Sequence, residues 1–195
     1  MHREGMNTGH AGTQPNDNLD PPLDRTGTDS QLEAARLTLH DLLAHADAED
    51  LRRGSDGTRW NNEQLLFHMV FGYMVVGVLL HLVRLISRLP TSVGQRFAAV
   101  LDTGRRPFHV INYFGSCGGA LVFNHARMGW LCDRTIAGLR RSLARETDVA
   151  LQREMPFPTS WDPYFKASMS VADVYRYPTQ HFEHHRRQLT LTHRP

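Results

Sequence analysis

Twenty consecutive residues, 64–83 (QLLFHMVFGYMVVGVLLHLV), carry no formal charge. A run of about eighteen is enough for a transmembrane helix, so this segment limits the chain to a membrane span or a helix surrounded by other helices. His68 and His81 lie inside the run, Glu63 immediately precedes it, and no second run of this kind exists. The mean hydropathy of the chain is −0.42, a soluble value. A helix apolar on nearly all sides is what the centre of a helical bundle requires. The expectation is therefore a central buried helix and no membrane. Val75, Val76, Leu79, Leu80 and Val83 spread over more than half of its circumference. Surface left over by the other helices would mark an interface, and a symmetric homodimer packed partly through this helix is expected. The competing arrangement has residues 91–119 folded back over it, in a monomer.

The remainder of the 195-residue chain also reads as helix. Residues 1–28 are rich in Gly, Asn, Asp, Thr and Pro, with no apolar run. They are read as a disordered tail holding His2 and His10, not a signal peptide, which places the protein in the cytoplasm. Residues 29–192 form one domain. In residues 29–46, Leu32, Ala35, Leu39, Leu42 and Leu43 recur at helical spacing, with Asp29 or Ser30 as N-cap. A glycine-closed loop at 52–60 leads to a long helix over about 61–88, which stops before Pro90. Residues 91–101 suit a short helix. Residues 102–119 have four glycines and no helical period, and are expected to be a loop, of a length that is often functional. A third long helix fits 120–146, with Leu121, Val122, His125, Trp130, Ile136, Leu139 and Leu143 on one side. Residues 155–165 (MPFPTSWDPYF) have three prolines and no regular pattern, and a last helix spans about 170–191. No strand pattern and no internal repeat is evident. Four main helices with long connections predict an all-α four-helix bundle.

Charge and cysteine content exclude several classes. Twenty-two basic residues face twenty acidic ones, for a formal charge of +2, and give no basis for nucleic-acid binding. Cys117 and Cys132 have neither disulfide-scaffold nor zinc-site spacing. H-E-x-x-H, G-x-S-x-G and P-loop signatures are absent. Cys117, beside Gly118 and Gly119, reads as a small loop residue before it reads as a reactive thiol.

The twelve histidines carry the chemistry. In the last helix, Val171, Val174, Pro178, Phe182 and Leu189 define the inward stripe. His181 and His185, one turn apart, fall on that stripe; His184 lies toward the flank and Glu183 opposite. Two neutral imidazoles at i and i+4 form a natural chelate for a divalent metal, although two histidines satisfied in a core give the same pattern. Pro178 either kinks this helix or opens a new segment, and in both cases the pair lies beyond it. A third ligand must come from elsewhere. His68 is the leading candidate, against the commoner role of a core histidine in an apolar segment. His81 is thirteen residues on, about 220° round and roughly 20 Å along the axis. His125 is a candidate fourth ligand or pocket residue, and His109 is placed to close over the site.

Three stretches together resemble a known group, the DinB-like (YfiT-like) superfamily of metalloenzymes. Trp60-Asn-Asn-Glu-Gln-Leu-Leu-Phe-His68 is similar to its tryptophan followed eight residues later by a metal-binding histidine. Ser170-Val-Ala-Asp-Val-Tyr-Arg-Tyr resembles the opening of its last helix. His181-Phe-Glu-His-His185-Arg-Arg-Gln188 resembles its H-x-x-x-H-R-x-Q ending, with Arg187 in place of the usual glycine and His184 as an extra histidine. The resemblance implies a four-helix bundle with one open end, where His68, His181 and His185 hold zinc, nickel or a similar ion. It also implies an enzyme acting on a small molecule, of the S-transferase or isomerase kind, with a low-molecular-weight thiol as cosubstrate. Arg105, Arg106 and Arg127 are then candidate anion binders. The alternatives are a hydrolase or rearrangement enzyme using metal-bound water, and a bundle that binds a ligand or partner without catalysis.

Overall fold

The computed structural model describes residues 24–192, without the side chains of Arg105 and Arg106. His2, His10 and most of the expected tail lie outside the described residues, as do the two arginines as anion binders. The described chain is all-α apart from one two-stranded ribbon, in the order α1 (Arg25–His45), α2 (Ala48–Arg52), α3 (Asn62–Ile86), α4 (Thr91–Thr103), α5 (Arg105–Val122), α6 (His125–Ala144), α7 (Asp148–Leu151), β1 (Glu154–Pro156), β2 (Ser168–Ser170) and α8 (Val171–Arg186).

The uncharged run lies within α3, which is long and apolar enough to cross a membrane by length and composition. Here α3 is the hub of the core: it packs against α8, α5 and α6, while α1 closes the other side against α6 and α8. Val76, Leu80 and Val83 are buried, and Val78 and Leu85 stay exposed. A capping box starts the helix. Asn61 Oδ1 accepts from the Gln64 N–H at 2.9 Å, and Gln64 Oε1 accepts from the Asn61 N–H at 3.1 Å. It fixes where the first turn begins, and so the face on which His68 emerges. The Trp60–His68 stretch thus encodes a helix start and a site residue together.

The first helix begins at Arg25, four residues earlier than the sequence suggests. Its N-cap is Asp24, whose Oδ1 accepts from the Gly27 N–H at 3.0 Å. Asp29 instead receives Arg140 from α6, at 2.7 Å. In α8, Ser170 and Asp173 form a second capping box. The helix passes through Pro178 and ends at Arg186; Val171, Val174, Pro178, Phe182 and Leu189 are buried as the stripe predicts.

Residues 102–119 are not a loop. Most of them form α5, which packs against α3. A core-facing helix is expected to turn its apolar face inward. In α5 the reverse holds: Val110, Ile111, Phe114, Leu121 and Val122 are apolar and exposed while Ser116, Asn112 and His109 face inward, and its glycines further obscure the helix. Gly119 permits the packing, because a Cβ there would run into the Phe67 ring of α3. α6 accordingly starts at His125, and Leu121, Val122 and Trp130 are exposed, not on its inward side. The proline-rich stretch supplies β1, paired antiparallel with β2 through Met155 and Met169.

Candidate metal centre

The structure brings His68, His181 and His185 together. One ring nitrogen of each lies within 4.8 Å of those of the other two. His68 comes from the second turn of α3, and the other two from the last turns of α8. His68 and His181 are buried and His185 is half-buried. The Nε2 atoms of His68 and His181 are 3.1 Å apart. Two nitrogens at that separation, each about 2.0–2.1 Å from one ion, subtend roughly 100° at it, between tetrahedral and octahedral values.

Two of the three outer nitrogens are tied down. The single Ser116 hydroxyl proton goes to the Asn112 carbonyl at 2.8 Å, so Ser116 Oγ accepts from His68 Nδ1–H at 3.1 Å. His185 Nδ1–H donates to Gln188 Oε1 at 2.7 Å. Both rings therefore present an Nε2 lone pair inward, the arrangement by which metal-ligating histidines are oriented. Trp60 stacks on His68 with ring centroids 4.4 Å apart and meets the His185 ring edge-on.

Burial is the main reason that all three imidazoles are held neutral. It pushes His68 well below the ordinary histidine range, with His181 and His185 adding to the effect. His181 is lowered to about 3, again chiefly by burial and then by His185 and His184. His185 is lowered by burial, partly opposed by its bond to Gln188. No carboxylate hydrogen-bonds any of the three among the described residues. Neutral, converging nitrogen donors of this kind fit a divalent cation.

Above the histidines lies a cavity of about 230 Å³. Phe71, Phe108, Trp161, Tyr164, Phe165 and Tyr177 wall it, with Asn112, His109 and Asp162 as polar points. Asp162 accepts from the Tyr177 hydroxyl and from the Tyr164 N–H, each at 2.9 Å. Burial, reinforced by Asp162, pushes the Tyr177 phenol far up.

The other histidines separate cleanly. His184 is exposed and bonds Tyr164 Oη at 3.2 Å on the cavity rim. His109 lines the cavity as expected. His125 is neither ligand nor pocket residue, because its Nε2 meets the Leu43 carbonyl at 2.6 Å. His81 is exposed on α3. Arg127 reaches the Val122 carbonyl at 3.3 Å instead of the cavity. Cys117 and Cys132 are free thiols; Cys132 is buried, and burial raises it to about 12.

Sequence reasoning missed Ser116, Asp162 and Tyr177. The density of aromatic residues and prolines in 155–165 was the available signal for a pocket wall; nothing local marks Ser116. Comparison with family models, curated proteins and solved structures returned no match for this chain.

Proposed function

We propose that this chain is a DinB-like metal-binding protein and an enzyme acting on a small molecule. In this reading α1, α3, α6 and α8 are its four-helix bundle. His68, His181 and His185 hold one divalent ion, zinc or nickel, at the floor of the aromatic cavity. The observation that supports it most is the convergence of three neutral imidazoles, two of them oriented from behind by Ser116 and Gln188. Three protein ligands suit a site that keeps positions for substrate, where a structural zinc site would supply four.

The ion, when bound, supplies a lowered pKa to a thiol or water beside it. The chain supplies the rest. Ser116 and Gln188 keep the ligand rings in one tautomer. Asp162, held by Tyr164 and Tyr177, accepts a proton from the incoming nucleophile. The aromatic walls exclude water and stack against a flat substrate. Thiol-dependent S-transfer or isomerisation is the first reading. In the second reading water is the nucleophile; no lysine or arginine lines the cavity among the described residues, while Arg59 lines the adjoining groove beside His109 and His185.

Elemental analysis of the purified protein tests the metal, with about one zinc or nickel per chain expected. A conjugation and isomerisation screen run with and without added thiol then separates the two chemistries. Protein that takes up no divalent metal even after incubation with zinc and nickel would remove the proposal.

A further inference from the structure

The outward face of α5 is apolar over its whole length. At 100° per residue, Val110, Ile111, Phe114, Gly118, Leu121 and Val122 fall within an arc of about 120°. Ser116, buried against His68, points the opposite way. The five large side chains are between 55% and 83% exposed. Residues 107–124 contain no charged residue.

The stripe has an internal symmetry. Reflected about position 116, Val110 exchanges with Val122, Ile111 with Leu121, and Phe114 with Gly118. Two copies of α5 crossing antiparallel at that point set bulky residues against each other at both ends and each Phe114 ring over the Gly118 of the other copy. A Cβ at Gly115 or Gly118 would meet nothing within 4 Å, so packing within the chain gives no reason for glycine there. Glycine weakens a helix relative to alanine. A second helix lying close against this face gives the reason.

We propose that α5 is the interface of a two-fold homodimer, with the axis passing beside residue 116. The second copy is favoured over other occupants by self-complementarity, which a two-fold interface demands. Area agrees: the five side chains expose roughly 500–600 Å² per copy, so their mutual burial removes somewhat over 1,000 Å², the lower bound for a specific interface. The inner face of the same helix carries Ser116, Asn112, His109 and Phe108 to the cavity. Dimerisation therefore braces one wall of each site from behind. This inference does not rest on the metal reading.

Light scattering of the full chain at micromolar concentration tests it, with twice the 22.2 kDa chain mass expected. Phe114→Asp combined with Leu121→Asp halves that mass, with helical circular dichroism unchanged. Register is tested separately in a Cys117→Ser background. Phe114→Cys with Gly118→Cys, and Ile111→Cys with Leu121→Cys, form an interchain disulfide on mild oxidation, and Phe114→Cys alone does not. A monomer mass for the unmodified chain overturns the proposal, as does a dimer that survives the paired aspartates or a crosslink through Phe114→Cys alone. A monomer that co-sediments with phosphatidylglycerol vesicles also overturns it, assigning the face to lipid.

Discussion

At one end of α3 and α8, a cation meets an anion and the hydroxyls beside them. Arg84, in the last turn of α3, bonds the Glu146 carboxylate through Nε at 2.9 Å and Ser142 Oγ at 2.8 Å. Tyr175 of α8 adds a bond to Ser142 at 2.9 Å. At the other end of the same two helices, three imidazoles point their nitrogens at one another, and no carboxylate among the described residues bonds to them. The first end has a matched cation and anion joined through shared hydroxyls, so it fixes how the helices dock. The second leaves lone pairs facing a common point, an arrangement that gains little from the fold and much from a cation. Both ends are polar clusters in a largely apolar core, and the sign and completeness of the pairing separate a structural cluster from a functional one.

The contrast breaks most readily at the metal end. His185→Ala removes one of three ligands and leaves His68 and His181 oriented; metal content measured after dialysis falls from about one per chain to near zero. Retention of the ion at wild-type level in this variant would falsify the three-histidine site. At the far end, Glu146→Ala strands a largely buried guanidinium and lowers unfolding free energy by about 3 kcal/mol, with metal content unchanged. Urea denaturation alongside elemental analysis reads both; loss of metal in this variant would show that the two ends are not independent.

Smaller effects sharpen the comparison. Ser116→Ala and Gln188→Ala each leave an imidazole with its outer nitrogen untethered, and each weakens metal affinity by about 10–100-fold in a competition titration with a chelator. Identical affinity in both variants would mean that the rings are positioned by packing alone. In the metal-free protein, all three imidazoles titrate below the ordinary value of about 6.5, so between the folded and unfolded values the unfolded chain binds protons that the folded chain does not. Stability is therefore full above about pH 6.5 and declines as the pH falls beneath it, for His181 down to about 3. Acid unfolding followed by circular dichroism should begin well above the carboxylate range, and a flat profile down to about pH 4.5 would contradict this. The smallest expected effect is that of His184→Ala, which removes only a rim contact to Tyr164 and leaves metal content as it was.

The parts legible in the chain have local causes. His181 and His185 share a face because they are one turn apart, and Pro178 does not disturb that phase. The boxes at Asn61 and Ser170 set the starts of α3 and α8 from residues three apart. His184 falls outside the cluster for the same angular reason. These are properties of an α-helix and need no knowledge of its neighbours.

Where sequence reading fails, the cause is non-local. α5 looks like a loop because it holds Gly115, Gly118 and Gly119 and its polarity is inverted, with apolar residues outward and Ser116, Asn112 and His109 inward, and only contact with α3 distinguishes inside from outside. His125 looks inward until the Leu43 carbonyl claims it. Asp162 sits in a stretch without period and gains its position by receiving Tyr177, fifteen residues later, and the N–H of Tyr164. By itself the sequence determined the helical class, the central apolar helix and the pairing of His181 with His185, since each follows from spacing along one helix. Tertiary structure alone decided that His68 joins them across 113 residues, that Ser116 orients the His68 ring, and that an aromatic cavity lies over the three nitrogens. Those features depend on distances between helices, and no periodicity within a single helix encodes them.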